Sequence, residues 1–173
     1  QLIRKDSIDE FISYVDQNNI DLKKEFDYFS TFETNYFLIS AENLYIFESL
    51  IYYAAFYGSI QIVKYLKKKK VGFHLRSLLL AAIHSGNLDL IHILDTDSDD
   101  NKIYLDCYIE SIKCYDKKMA NYFKQKCNQR SLINEADLLK YYNYDFFPNN
   151  FDNTTIFSAL CRYDYPFFVK FMM

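Results

Sequence analysis

The chain has 173 residues, enough for a domain with a substantial core, and half of them are hydrophobic. With three Gly and two Pro it holds few hairpin turn signals, which argues against a sandwich or barrel and for helices joined by polar loops. A net charge of −3 excludes a global basic field for nucleic acid or anionic lipid, and no apolar run approaches the roughly 20 residues of a bilayer span.

The first periodic segment, SIDEFISYVDQNNIDL, reads as a single helix with Phe11, Ile12 and Val15 on its apolar stripe. From residue 49 a frame becomes legible: SLIYYAAFYGSIQIVKYL is echoed by SLLLAAIHSGNLDLIHIL, with Gly58 and Gly86 spaced by 28 residues (86 − 58). Four residues before each glycine stands a small residue, Ala54 or Ala82, and nine before stands a serine, Ser49 or Ser77, suited to a helix N-cap. After each glycine come Ile62, Val63 and Leu66, or Leu90, Ile91 and Leu94, the buried stripe of a second helix. The expectation is a helix, a left-handed exit at glycine and a helix returning antiparallel on the first.

Two weaker copies follow. In DCYIESIKCYDKKMANYF the cap is Asp106, the small residue Ser111, the turn residue Tyr115 and the stripe Met119, Ala120 and Phe123. In TTIFSALCRYDYPFFVKF the corresponding residues are Thr154, Ala159, Tyr163, and then Phe167, Phe168 and Phe171. Between them 30 residues intervene (154 − 123 − 1), including SLINEADLLKYYNYD, whose Leu132, Ala136, Leu139 and Tyr142 have helical spacing, and a turn at residues 148–150. The expected division is one domain: degenerate N-terminal helices over 1–48, repeats near 49–76, 77–105 and 106–130, an irregular helical insert over 131–150, and a last repeat over 151–173. Gln1 as first residue and an apolar pattern broken off at FFVKFMM read as a fragment of a longer chain.

This frame resembles the ankyrin repeat, whose core runs T-P-L-H-x-A-A, then G, then an I-V-x-x-L helix; TTIF at residues 154–157 resembles the first of these elements. Its Tyr/Phe/Asn/Lys-rich style is similar to the divergent ankyrin-like domain of unknown function common in protozoan ankyrin-repeat proteins. A period of 28 against about 33 implies that the projecting β-hairpins are shortened or missing. The fold expected is therefore all-α: an ankyrin-like helical repeat solenoid. In such arrays the two residues before the glycine point into the concave face. The resemblance thus implies a partner-binding set of Phe56 and Tyr57, His84 and Ser85, Lys113 and Cys114, and Cys161 and Arg162, running from aromatic to basic.

Other features carry less chemistry. Asp95, Asp97, Asp99 and Asp106 match positions one, three, five and twelve of a calcium loop, but Asp100 replaces the turn glycine and Asp106 the bidentate Glu, so an acidic inter-repeat loop is the plainer reading. The lysines at 67–70 read as a solvated helix end suited to the C-terminal dipole, with nuclear targeting or lipid attraction as the sharper alternative. Stacked repeats would set these lysines beside the acidic 95–100 loop and the KQK at 124–126, attracting in register. His74, His84 and His92 lack the further ligands of a metal site, and the four cysteines, Cys107, Cys114, Cys127 and Cys161, fit neither CxxC nor zinc spacing. They read as free thiols of a reducing compartment, cytoplasmic or nuclear, with Cys107 in the core. Most Tyr and Phe read as core, with a surface minority available to an interface. No catalytic motif is present. The function expected is binding to another protein, with no cofactor, no catalysis, no nucleic acid and no membrane insertion. Alternatives are a targeting module of a larger effector, or a calcium-responsive binder.

Overall fold

The computed structural model describes residues 1–24, 35, 49–95, 101–127, 138–147 and 154–172, and the regular structure among them is helical throughout. Expected features at 25–34, 36–48, Asp97, Asp99, Leu132, Ala136 and the 148–150 turn lie outside the described residues. The chain divides into two units, Gln1–Ser98 and Asp99–Met173.

The first unit contains α1 (Ile8–Gln17), α2 (Leu50–Phe56), α3 (Ile60–Lys68), α4 (Leu75–Ile83) and α5 (Leu88–Leu94). α2 pairs with α3 and α4 with α5, α2 packs directly on α4, and α1 lies against α3. Ala54 and Ala82 are fully buried between helices, where the absence of a larger side chain lets the backbones approach. The expected stripes of both returning helices, from Ile62 to Leu66 and from Leu90 to Leu94, are buried to 1% exposure or less. In α1, Phe11 and Val15 are buried and Ile12 is half-buried, with the Phe11 ring edge-on to Tyr65. No hairpin projects between α3 and α4: residues 69–74 cross directly from one helix to the next without strand structure.

The exits repeat the same backbone device. At Gly58 (φ 71°) the amide donates to Ala55, and the next amide, of Ser59, donates back to Ala54 at 2.9 Å, the paired bonds of a Schellman motif. The same pair closes the chain at Asp6, Asn19, Lys70 and Tyr115, each a non-glycine residue at positive φ. Gly86 (φ 67°) is a variant: the Ser85 hydroxyl donates to the Ala82 carbonyl at 2.6 Å and accepts from the Asn87 amide at 3.1 Å, replacing the long closing bond by a side-chain bridge. The Gly58 turn lies against this bridge, since a Cβ at Gly58 would meet Ser85 Cβ at 3.2 Å.

Two expected caps are displaced. Ser49 does cap α2, accepting from the Ile51 amide, but α4 begins at Leu75, so Ser77 sits buried in its first turn. The Tyr52 hydroxyl accepts the His74 amide at 2.8 Å and fixes the chain three residues earlier than the serine would (77 − 74). Asp106 likewise lies inside α6 (Asn101–Lys113), because the buried stripe of Tyr104, Cys107, Tyr108 and Ser111 starts upstream of it.

The second unit holds α6, α7 (Lys117–Lys126), two 3₁₀ turns (Leu139–Tyr141 and Tyr144–Phe146), α8 (Thr154–Arg162) and α9 (Pro166–Met172). α6 pairs with α7, whose expected stripe of Met119, Ala120 and Phe123 is fully buried. α8 pairs with α9, but one residue out of the expected register: the left-handed residue is Asp164 (φ 59°) rather than Tyr163, and the Tyr165 amide closes on the Leu160 carbonyl at 2.9 Å. Phe168 and Val169 consequently pack on the core of Leu139, Ile156, Ala159, Leu160 and Tyr165, while Phe167 is 75% exposed.

In the described part of the insert Leu138 is helical and 3₁₀ turns follow it. Tyr142 adopts a left-handed conformation that ends the first turn, and the Asn143 side chain accepts the Asp145 amide to start the second. Neighbouring helices hold the segment through polar side chains. The buried Tyr165 hydroxyl donates to the Leu139 carbonyl at 2.8 Å, and Asn143 Nδ2 donates to the Ile112 carbonyl at 2.8 Å.

Candidate functional site

The pre-glycine pairs fall at the helix exits in both units, but their side chains have unequal fates. In the first unit Phe56 is buried and stacks on the His84 ring at 5.4 Å with planes 22° apart. Tyr57 lies edge-on to Phe56 at 5.1 Å, and the Arg4 guanidinium sits 4.5 Å over the Tyr57 ring. Arg4 also donates from Nε and Nη2 to the Tyr53 hydroxyl at 3.2 and 3.1 Å. These aromatics thus form a continuous stack closed by a cation, with Arg4 supplied by the segment before α1. Ser85 commits its hydroxyl to the turn bridge described above.

In the second unit Lys113 is exposed and ion-pairs with Glu110 at 2.9 Å, its Nζ lying 5.5 Å from the Tyr141 ring centroid. Cys114 is partly buried, and its thiol is pushed up to about 12 by burial and then by the Glu110 carboxylate, so it stays protonated and is a poor nucleophile near neutral pH. Cys161 and Arg162 are both exposed. Because the turn register is shifted, the residues equivalent to Phe56 and Tyr57 are Arg162 and Tyr163, not Cys161 and Arg162.

Beside Lys113 lies a surface that the repeat frame did not indicate. Tyr115, Tyr142 and Tyr144 are 61%, 47% and 64% exposed, yet two of their hydroxyls are fixed. Tyr115 donates to the carbonyls of Tyr141 and Tyr142 at 3.1 and 3.3 Å, and Tyr142 donates to that of Tyr163 at 2.8 Å. Tyr144 stacks on Phe147 at 5.9 Å, Lys140 lies 4.8 Å over Tyr141, and Lys117 reaches Asp145 at 3.6 Å. The result is a set of exposed aromatic faces with little freedom left to lose, edged by cations. The sequence signal was present in the tyrosine density of KYYNYDFF, but it stands outside the repeat and depends on contacts made by distant residues.

Of the calcium candidates, Asp95 ends α5 and Asp106 lies within α6, while Asp97 and Asp99 are outside the described residues. No helix among the described residues is long and apolar enough to cross a membrane.

No protein-family model, curated protein or solved structure matches this chain.

Proposed function

We propose that the chain is an ankyrin-like repeat scaffold that binds another protein, without catalysis of its own, through the tyrosine surface beside Lys113. The observation that carries the reading is the pinning of the Tyr115 and Tyr142 hydroxyls to main-chain carbonyls, which leaves their ring faces exposed and rigid. Rigid amphipathic rings lose little entropy on association, and tyrosine is enriched among residues that dominate interfaces. The recurrence of helix, left-handed exit and returning helix supports the repeat reading, and α2 packed on α4 is the contact that stacking would require. Lys140 over the Tyr141 ring and Arg162, next to the Tyr163 that holds Tyr142, add cations suited to a partner with an acidic end, beside a Lys113 balanced by Glu110. The free cysteines accord with a reducing compartment, cytoplasmic or nuclear.

Affinity capture with identification of the bound protein, followed by titration with that protein purified, tests the proposal. Tyr144→Ala and the pair Lys113→Glu/Arg162→Glu should each weaken binding about tenfold or more while leaving helicity unchanged. Full affinity in both variants would overturn the assignment of the surface.

A further inference from the structure

We propose that the C-terminal end of α3 and the turn after it, with their four consecutive lysines, dock the chain onto an anionic lipid surface. Residues 49–88 contain no Asp or Glu, yet they carry Lys64, Lys67, Lys68, Lys69, Lys70 and Arg76, in a chain whose net charge is −3. The cations are therefore segregated within the first unit, and the global charge conceals them. Lys68, Lys69, Lys70, Phe73, His74 and Arg76 are all exposed.

The lysines are not consumed internally. Residues 67–70 make no ion pair with any described residue. Their recorded side-chain contacts are with rings, Lys67 Nζ lying 5.8 Å from the Phe73 centroid and Lys69 Nζ 5.4 Å from that of Tyr65. The negative end of α3 favours cations there, but a half-charge does not neutralise four.

The backbone gives this charge a firm mounting. Lys70 (φ 58°) reverses the chain, the Val71 amide closes on the Leu66 carbonyl at 3.1 Å, and the Val71 side chain is buried beneath. Beyond this anchor Gly72 has open space around it, and Phe73 follows at 37% exposure. Lys67 and Lys68 lie about 100° apart in the last turn of α3, and the left-handed Lys70 reverses the chain two residues later, so the four lysines do not follow one extended line. A diffuse, planar anionic surface can take all of them at once and receive the adjacent Phe73, whereas an acidic peptide or a nucleic-acid strand would need a track for its backbone. Attachment of this kind is peripheral.

Vesicle sedimentation of the whole chain decides the matter, using phosphatidylcholine alone and phosphatidylcholine with phosphatidylserine. The chain should sediment with the anionic vesicles and not the neutral ones, and added salt should release it. Each lysine near such a surface contributes roughly fivefold, so Lys68→Gln/Lys69→Gln/Lys70→Gln should lose about 100-fold in partitioning with unchanged circular dichroism. Phe73→Ala should weaken binding severalfold at low and high salt alike. Failure of the unaltered chain to bind anionic vesicles, or equal binding by the triple variant, overturns the proposal. So does release by an equal phosphate concentration of single-stranded RNA, which would make this end of α3 a nucleic-acid contact. The vesicles contain no protein, so the result stands apart from the protein-binding surface of the second unit.

Discussion

Gly58 and Gly86 share a left-handed conformation but not an environment, and the difference sets up a paired substitution. Gly58→Ala and Gly86→Ala both force a Cβ into positive φ, at a cost of about 1–2 kcal/mol. Both also restrict the unfolded chain equally, so that contribution cancels in the comparison. At Gly86 a new Cβ meets nothing within 4 Å, whereas at Gly58 it would lie 3.2 Å from Ser85 Cβ and 3.7 Å from Asn87 Cβ. Ser85 cannot readily give way, because its hydroxyl is held at 2.6 and 3.1 Å by Ala82 and Asn87. Crowding of this kind adds about 1 kcal/mol or more. Urea unfolding followed by circular dichroism should therefore rank Gly58→Ala as the less stable by about 1 kcal/mol, and adding Ser85→Gly should cost less than the sum of the separate effects. Equal costs within about 0.3 kcal/mol, or strict additivity with Ser85→Gly, would refute the contact between the two turns. Neither alanine destabilising the chain would refute the left-handed exits themselves.

Lys70→Gly should stabilise the chain by about 0.5–1 kcal/mol in the same assay, since relief of the left-handed strain exceeds the entropy glycine adds to the unfolded state. Tyr165→Phe should cost about 1–3 kcal/mol, because it leaves the Leu139 carbonyl buried without its donor. Burial, and then the neighbouring Tyr144, push the Tyr165 phenol up to about 12 from 10.0; above pH 10 the unfolded state releases a proton that the folded state keeps, so stability falls between pH 10 and 12. Urea midpoints across that window should decline less steeply for Tyr165→Phe. Among the thiols, Ellman's reagent at pH 8 should modify the exposed Cys161 first, the raised Cys114 slowly and the buried Cys107 upon unfolding; rapid loss of Cys114 would contradict its burial.

The helix exits were legible where glycine, which takes positive φ without a Cβ penalty, stood at the turn. Gly58 and Gly86 announced their turns, and the apolar triplets after them announced which face would be buried. Asp164 did not, because in YDYPFFVKF several aromatic registers satisfy the same stripe. The decision falls to the bond from the Tyr165 amide to Leu160, which has no signature in the side chains. Ser77 failed as a cap for a similar reason: a hydroxyl 25 residues away (77 − 52), on Tyr52, set where α4 begins. The tyrosine surface lay still further from view. Its residues were plain in the sequence, but their exposure depends on hydrogen bonds linking segments 26 and 27 positions apart.

The six residues before the α1 cap form no helix, yet they finish the first unit. The Asp6 carboxylate accepts the amides of Gln61 and Ile62 at 2.9 and 3.0 Å, supplying an anion to the first turn of α3 from 55 residues away. The Ser59 hydroxyl donates to the Ile3 carbonyl, and Arg4 covers Tyr57. A chain started at Ser7 would keep every helix of this unit and lose all three attachments. A truncation chosen from the helix map alone would therefore open the unit at that edge, because residues outside every helix hold it.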